Sequence, residues 1–414
     1  MLGKFLSDFV RTGRLTVAWP DGRINVYGEG DPEAGVRLHG KWTPLQIRLW
    51  PELVLGEAYM DGRLTVERGT IGDVLQILIS NYNRRRLGTL YRLRQFTRMM
   101  GRRAAQLNRI ARARENVAHH YDLSGELYDL FLDADRQYSC AYFADPKMTL
   151  EEAQAAKKKH IAAKLRLDRP GLKVLDIGSG WGGLALDLAR QHESQVLGIT
   201  LSTEQLALAN SRASDAGLSR SCSFDLRDYR QVEGRFDRIV SVGMFEHVGV
   251  GYYEAFFGKM KQLLAPDGMA LLHFIGRADG PNATNPWIAK YIFPGGYTPA
   301  LSEVMRAVER CGLYATDIET LRLHYAETLK EWRKRFCRNW AKAAALYDER
   351  FCRMWEFYLA ASEMTFRYGS QVVFQIQLAT RIDAVPVTRD YMFDAERAMR
   401  SRGAQSGRRK PEAA

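Results

Sequence analysis

A strand, a glycine-rich turn and a helix follow one another after residue 173, and no other segment restricts the fold of this chain as strongly. Residues 174–183 read Val-Leu-Asp-Ile-Gly-Ser-Gly-Trp-Gly-Gly. The apolar run 174–177 is long enough for a buried parallel strand, and Gly178, Gly180 and Gly182 allow a tight turn that a ligand can approach closely. Apolar residues at helical spacing come next, so the turn opens a helix whose N–H groups face the ligand. These features predict a nucleotide-type site at the carboxyl edge of an open sheet.

Two classes of nucleotide fit this turn. Gly178, Gly180 and Gly183 satisfy a dinucleotide pattern, but that pattern wants an acidic residue about twenty positions later to hold the ribose. The next predicted strand ends in Thr200 and Leu201, and no carboxylate follows before Glu204. The order Asp-x-Gly-x-Gly instead resembles motif I of S-adenosylmethionine (SAM) methyltransferases. A strand–helix turn of some other α/β protein is the remaining alternative.

Strands and helices alternate from about residue 119 to 395. Apolar and β-branched runs predict seven strands, at 173–177, 195–200, 221–225, 236–242, 269–275, 314–322 and 371–379. This pattern predicts an α/β fold, a Rossmann-like doubly wound sheet of the SAM methyltransferase type. An aromatic-rich helical insertion is predicted at 326–368, whose aromatic residues would form core or wall an acyl channel.

The chain divides into four predicted parts. Residues 1–80 form a small N-terminal α+β domain, with strands beginning at Leu15, Ile24 and Gly35 and helices at 45–59 and 71–80. Residues 81–118 form a basic helical arm or linker, and 119–395 form the catalytic domain. Residues 396–414 are predicted to be a disordered tail, because the end of the chain is small, polar and charged.

The composition points to a cytoplasmic globular protein. No apolar run approaches the length of a membrane span, and the N-terminus carries Asp8 inside its apolar stretch, which is not typical of a signal peptide. The five cysteines are scattered without a C-x-x-C pair, so we expect reduced thiols and no metal site. Neighbouring His119 and His120 diverge on a helix and are not expected to share a metal.

Positive charge is concentrated in the arm. Eleven arginines and no acidic residue lie between residues 81 and 114, in a chain whose net charge is +12. Apolar residues are interleaved, which predicts a helix with a basic face and an apolar stripe. A solvated linker, an arm on an anionic membrane surface and a nucleic-acid contact are the three interpretations. No nucleic-acid-binding signature accompanies the charge, so we expect no nucleic-acid partner.

Five further segments carry a family resemblance. They are 137–143 (Gln-Tyr-Ser-Cys-Ala-Tyr-Phe), 241–249 (Ser-Val-Gly-Met-Phe-Glu-His-Val-Gly), 271–276 (Leu-Leu-His-Phe-Ile-Gly), 291–296 (Tyr-Ile-Phe-Pro-Gly-Gly) and 323–329 (Leu-His-Tyr-Ala-Glu-Thr-Leu). Together these segments resemble cyclopropane-fatty-acyl-phospholipid synthases and the related mycolic acid cyclopropane synthases. The first unit resembles the N-terminal domain of the phospholipid enzymes through 51–62, which favours the phospholipid branch.

The resemblance implies a bicarbonate ion at the reaction centre that acts as general base. Its implied catalytic holders are Cys140, Glu246, His273, the backbone of Ile275, and Tyr325. A trapped base would remove a proton from the new methyl group, and aromatic faces such as Tyr121 and Tyr138 would stabilise the cation. His247 matches no family holder and is interpreted as structural.

The resemblance also implies the residues that bind SAM. By motif match they are Tyr138, Ser139, Gly178, Gly180, Gly182, Thr200, Leu201, Gln205, Asp228 and Tyr229. The family often has cysteine between the first two glycines, where this chain has Ser179; a small polar residue should serve there.

The sequence therefore predicts a SAM-dependent C-methyltransferase, peripheral on the inner face of the membrane, which adds a methylene across a cis double bond of a phospholipid acyl chain. Methylation without ring closure, a small-molecule N-methyltransferase and a lipid-binding module without activity are the alternatives. Retention of Glu246, His273 and Tyr325 favours ring closure. The sequence leaves open whether two copies form a homodimer, and where the N-terminal domain docks.

Overall fold

The computed structural model describes residues 2–42, 50–82, 89–106 and 123–407. Eleven strands are found within these residues and form two sheets. The strands are β1 (Arg14–Ala18), β2 (Ile24–Tyr27), β3 (Glu33–Leu38), β4 (Leu64–Arg68), β5 (Lys173–Ile177), β6 (Gln195–Thr200), β7 (Cys222–Leu226), β8 (Phe236–Val242), β9 (Leu264–Arg277), β10 (Tyr314–Leu321) and β11 (Gln371–Ala379).

The larger sheet has the predicted doubly wound form. Its strand order is β10-β11-β9-β8-β5-β6-β7, with β9, β8, β5, β6 and β7 parallel and β11 antiparallel to both of its neighbours. The chain proceeds outwards in one direction from β5 and in the other from β8, so the order reverses between these two strands. Ligands of open α/β sheets bind outside the carboxyl ends of the strands at such a reversal.

Helices cover both faces of this sheet, and their first turns carry recognisable signals. Thr149 and Glu152 form a reciprocal capping box before one helix, and the Ser202 side chain caps another. The helices of the described residues from 123 onward are Gly125–Asp129, Leu150–Lys164, Gly183–His192, Thr203–Asp215, Tyr253–Leu263, Pro286–Tyr291, Leu301–Cys311, His324–Arg338, Trp340–Leu346, Glu349–Tyr368 and Asp390–Gly407. Among the described residues, no helix is both long enough and apolar enough to cross a bilayer.

The N-terminal unit docks on the catalytic part of its own chain. It consists of the four-stranded sheet β2-β1-β3-β4 and the helices Leu2–Phe9, Pro51–Met60 and Ile71–Tyr82. Gly56 lies directly beneath the buried Trp287 ring, whose Nε1 donates to Met60 Sδ at 3.2 Å. Tyr59 donates a 2.6 Å hydrogen bond to Glu356. One hydrophobic core therefore runs from the N-terminal unit into the helical insertion.

Several predicted elements differ from the structure. Strand β4 was not predicted, and the first predicted helix, 45–59, begins at Pro51 within the described residues. The insertion predicted at 326–368 is helical, as expected, and consists of three helices. The prediction of a disordered tail from residue 396 is wrong as far as Gly407, because a helix spans Asp390–Gly407.

The C-terminal helix is retained by buried polar contacts. Glu396 is buried and contacts His160 Nδ1, and Met392 is buried beside it on the same helix. His160 Nε2 lies 2.7 Å from Glu319 of β10. These contacts explain why a polar, charged sequence forms an ordered helix. The predicted arm is seen in part, as the helix Thr89–Ala105, whereas His119, His120 and Tyr121 lie outside the described residues.

Candidate active site

The three glycines of the turn after β5 have different surroundings. All three have positive φ, +82° at Gly178, +54° at Gly180 and +83° at Gly182, a conformation that side chains disfavour. A Cβ on Gly178 would meet Met244 at 2.8 Å, and one on Gly182 would meet Phe224 at 2.7 Å, but one on Gly180 would have no atom within 4 Å. Gly180 is thus open to a ligand, and Gly182 is needed for packing and for starting the helix.

A large cavity lies over this turn, at the carboxyl ends of β5, β6 and β8. It contains about 1310 Å³ of empty space, which includes open solvent at its mouth. Of the predicted cofactor residues, all but Gly182 line it: Tyr138, Ser139, Gly178, Gly180, Thr200, Leu201, Gln205, Asp228 and Tyr229. That these residues bind the cofactor stays a prediction.

The segment that carries Tyr138 and Ser139 is held from beneath by helix Leu150–Lys164. The fully buried Lys157 ammonium donates to Gln137 Oε1 at 2.7 Å and to Ser139 Oγ at 2.8 Å. One turn earlier, the Gln154 amide donates to the main-chain carbonyls of residues 137 and 139. Burial lowers the pKa of Lys157 to about 8, so it is mainly charged at neutral pH.

Two polar groups at the floor of the cavity have unused hydrogen-bonding capacity. Asp176, at the end of β5, is buried, and burial raises its pKa to about 7. Its Oδ2 and the Ser179 hydroxyl have no hydrogen-bond partner among the described residues. Buried polar atoms are nearly always paired, so these two atoms, together with open Gly180, fit a polar ligand such as SAM.

Hydrogen bonds already order the far side of the cavity. Thr200 Oγ1 lies 2.8 Å from Gln205 Oε1, which orients the first turn of the helix after β6. Asp228, after β7, makes a bidentate ion pair with Arg230, with both distances 2.7 Å. An adenosine that used the Asp228 carboxylate would share it with this guanidinium.

Glu246 stands beside the cavity in the short helical turn Phe245–His247 that follows β8. Its Oε1 accepts a 2.6 Å hydrogen bond from the Ile275 amide, and its buried Oε2 has no partner among the described residues. Burial raises the pKa of Glu246 to about 7. The Ile275 amide, implied as a holder of the ion, is therefore occupied by Glu246 in this structure.

His273 has a defined tautomer. The Gln375 side-chain amide, directly opposite on β11, donates to its Nδ1 at 3.1 Å. Burial, reinforced by nearby cations including Lys157, lowers the pKa of His273 well below its usual value. The ring is therefore neutral and carries its proton on Nε2, where it can serve as a hydrogen-bond donor.

Cys140 and Tyr325 are both buried. Cys140 lies in the segment 137–143, and Tyr325 lies on the helix that contacts this segment. Burial raises the pKa of Cys140 well above its usual value, so its thiol stays protonated, and all five cysteines are free thiols. The Ala141 amide donates to Thr328 Oγ1 at 3.0 Å, which joins this segment to the helix that carries Tyr325. The ring of Tyr325 packs edge-on against Trp332, on which Tyr138 also stacks.

Sequence reasoning did not identify several residues of the cavity wall. Lys157 and Arg136 line the cavity and belong to no motif singled out from the sequence. Gln137, which also lines it, begins the segment 137–143 but was given no role. His247 was interpreted as structural, but it also lines the cavity, and burial lowers its pKa to about 4. Its position next to Glu246 was the available signal.

The chain is similar to known proteins over most of its length. The family model described as mycolic acid cyclopropane synthetase matches residues 108–376. The chain belongs to this family. A second model, described only as a domain of unknown function, matches residues 2–86. Family membership identifies the chain as a SAM-dependent methyltransferase of the cyclopropane synthetase family.

Individual relatives cover most of the chain. It is 38% identical to the cyclopropane-fatty-acyl-phospholipid synthase of Escherichia coli over 87% of this chain and 92% of that protein. It is also 38% identical to a tuberculostearic acid methyltransferase of Mycobacterium tuberculosis, over 87% and 86%. The crystal structure of a mycolic acid cyclopropane synthase complexed with SAH and CTAB is 35% identical, with a TM-score of 0.61, over 64% of this chain and 98% of that one.

Proposed function

We propose that this chain transfers a methylene group from SAM to the cis double bond of an unsaturated acyl chain in a membrane phospholipid, closing a cyclopropane ring. The phospholipid substrate is supported by the similarity to the E. coli synthase, which covers 87% of this chain and therefore extends into the N-terminal unit. The eleven arginines of the arm support a peripheral position on the anionic inner face of a membrane.

The residues of the cavity fit SAM. Open Gly180, the unpartnered Asp176 and Ser179 oxygens, and the ordered Gln205 would hold its polar groups. When bound, SAM supplies an electrophilic methyl group. An alkene is a weak nucleophile, so the chain must orient it and exclude water. The partly buried ring of Tyr138 and the buried ring of Trp332 can do both and can stabilise positive charge without reacting.

The low negative charge of the predicted holders supports the proposal of a bound anion. Burial favours the neutral forms of Cys140 and His273, and it raises the pKa of Glu246 to neutral pH. Lys157 is a buried cation whose charge acts on both Cys140 and His273. A pocket with a nearby cation and little opposing negative charge favours an anion.

Bicarbonate fits this set of groups and would supply a base at the reaction centre. Glu246 Oε2 and His273 Nε2–H are the groups that would hold it, with Tyr325 and the Cys140 thiol as the other implied holders. A carboxyl whose pKa is about 7 can donate to an anion or accept a proton from it. Glu246 thus supports ring closure, because closure requires removal of a proton.

Methylation without ring closure is the second candidate. The M. tuberculosis relative named for tuberculostearic acid is as similar to this chain as the E. coli synthase. The two candidates differ in the fate of one proton, so the groups around Glu246 decide between them.

Lipid analysis after expression in a bacterium that lacks its own synthase tests the proposal. Cyclopropane formation predicts acyl chains heavier by 14 mass units that resist ozonolysis and show ring-proton signals in NMR. A chain of the same added mass that is still cleaved by ozone has been methylated without closure and contradicts ring formation.

Glu246→Gln tests the role of Glu246 in proton removal with a side chain of nearly the same shape. The amide can still accept from Ile275 and donate to an anion, but it cannot accept a proton, so turnover should fall by about 10²–10⁴-fold. SAM affinity, measured by calorimetry, should change little. Full turnover of this variant with a cyclopropane product would overturn the assigned role.

A further inference from the structure

Three strongly exposed apolar residues of the arm helix form one row on its outer side. Leu93, Phe96 and Met100 are 60%, 59% and 69% exposed. Their spacing of three and four residues places them on one face of helix Thr89–Ala105. Large apolar side chains arranged in a row at the surface mark an interaction site more often than scattered ones do.

The opposite side of this helix is attached to the protein by its arginines. Arg102 Nη2 makes a 2.9 Å ion pair with Glu303, and both side chains are largely buried. Arg98 donates to the main-chain carbonyl of Thr284, and the Arg94 guanidinium lies over the Trp50 ring, 3.1 Å from its centroid. These three arginines, spaced by four residues, therefore face inwards, and the apolar stripe predicted from the sequence faces outwards.

The arm helix also contacts the segments that position Glu246. Arg102 donates to the Tyr297 hydroxyl at 3.3 Å, and the Tyr297 amide donates to the main-chain carbonyl of Glu246 at 2.9 Å. Just beyond the helix, Gln106 Oε1 accepts from the Val250 amide at 3.0 Å. The outer row is thus presented on a fixed element next to the reaction centre.

We propose that helix Thr89–Ala105 inserts Leu93, Phe96 and Met100 into the acyl layer of an anionic lipid bilayer. The charge of the arm favours this occupant, since residues 81–114 contain eight arginines besides the three inward-facing ones, and no acidic residue. An amphipathic helix in a basic setting binds such a surface by burying its apolar face below the headgroups. The inference extends the proposed function, because it assigns the membrane contact to apolar insertion and to these residues.

Binding to vesicles tests this proposal without any need for turnover. The full chain and the triple variant Leu93→Ser/Phe96→Ser/Met100→Ser would be sedimented with phosphatidylglycerol–phosphatidylethanolamine vesicles in 0.1 M and 0.5 M salt. Removing even one such side chain from an apolar layer is worth roughly tenfold in partitioning. We expect the row variant to bind at least ~10-fold more weakly than the wild type.

Salt separates insertion from surface attraction. Attraction between arginines and headgroups is screened at 0.5 M, whereas apolar insertion persists. We expect the wild type to keep residual binding in 0.5 M salt and the row variant to lose it. Equal binding of the two proteins at both salt concentrations would overturn the proposal.

A matched control removes equally exposed apolar residues elsewhere. Ile24→Ser/Ile382→Ser/Val387→Ser changes side chains that are 64%, 74% and 104% exposed and lie outside the arm, and it should bind like the wild type. If the row instead covers a second copy of the chain, the row variant will dissociate a dimer in sedimentation equilibrium without losing vesicle binding, which also overturns the proposal. Failure of the proposed reaction would appear in the lipid analysis alone, with vesicle binding unaffected.

Discussion

At the scale of single residues, the groups around the cavity are shaped by burial more than by ion pairing. Glu246, Asp176, His247 and Lys157 have pKa values shifted so as to favour their uncharged forms, and burial is the largest cause for each. Such groups cost folding free energy. Clusters of them are typical of functional sites, where proton affinity is matched to chemistry.

Glu246→Gln should stabilise the protein above neutral pH. Burial raises the pKa of Glu246 from 4.5 to about 7, so the folded chain retains a proton that the unfolded chain releases. This linkage lowers stability as pH rises from about 4.5 to about 7. The variant lacks this titration, so its free energy of unfolding at pH 7.5 should exceed that of the wild type by up to a few kcal/mol. The difference should shrink towards pH 5.

Thermal unfolding across this pH range is the measurement. Glu309→Gln, which changes an exposed carboxylate, should follow the wild type at every pH. A Glu246→Gln midpoint at or below that of the wild type at pH 7.5 would contradict the burial argument.

At the scale of elements, the glycine turn allows the cost of strain to be separated from loss of binding. Gly180 and Gly217 both have positive φ, +54° and +66°, and a Cβ on either would have no atom within 4 Å. Valine at either position should cost a similar ~1–2 kcal/mol of stability. Only Gly180→Val should abolish SAM binding in calorimetry, because Gly180 alone of the two lines the cavity. Equal SAM affinity of the two variants would remove Gly180 from the site.

The C-terminal helix should be held most tightly at acid pH. His160 lies between Glu396 and Glu319, near Lys164, and hydrogen bonds to the two carboxylates raise its pKa above 6.5 despite its burial. A raised pKa contributes stability that is complete below about pH 6.5 and is lost as pH rises through the folded value.

Glu396→Gln should therefore lower the free energy of unfolding more at pH 6 than at pH 9, by about 1.5–3 kcal/mol at pH 6. Asp394→Asn, on the exposed side of the same helix, is the control and should have little effect. A loss that does not depend on pH would show that His160 is not protonated there.

Local pattern predicted the elements of the sheet well and their contacts poorly. The strands predicted at 173–177, 195–200, 236–242 and 371–379 have these bounds in the structure, because buried apolar runs carry their own signal. Strand β4 reads Leu-Thr-Val-Glu-Arg, lies at a sheet edge and carries too much polar character for that rule.

In the candidate site, too, the sequence predicted individual residues better than the contacts between them. Motif matching placed Tyr138, Ser139 and Gly180 on the cavity, but it could not show that Lys157 supports them, since that contact joins residues about twenty positions apart through side chains alone. The outward apolar row of the arm was not predictable either, because a periodic stripe usually predicts a buried face.

At the scale of the whole molecule, the two units share one interface in which a glycine is essential. Gly56 lies inside helix Pro51–Met60, where alanine would ordinarily stabilise by about 1 kcal/mol. A Cβ there would lie 2.4 Å from the Trp287 ring, which is fully buried. Gly56→Ala should instead destabilise the protein by about 1–3 kcal/mol through overpacking.

Hydrogen exchange of the variant should increase on both sides of the interface, in the helices Pro51–Met60 and Pro286–Tyr291. Gly101→Ala, in a helix where a Cβ meets no atom within 4 Å, is the control and should be neutral or stabilising. Equal stabilisation by both substitutions would show that the N-terminal unit is not held against Trp287.

The order of strands in the larger sheet has a consequence for synthesis on the ribosome. Strand β11 is the last strand among the described residues, yet it lies between β9 and β10 and supplies Gln375 to the ring of His273. The turn at Gly180 leaves the ribosome nearly two hundred residues earlier. A nascent chain can therefore form the glycine turn well before Gln375 is present to fix the tautomer of His273, so any chemistry that uses the His273 Nε2–H must await translation of β11.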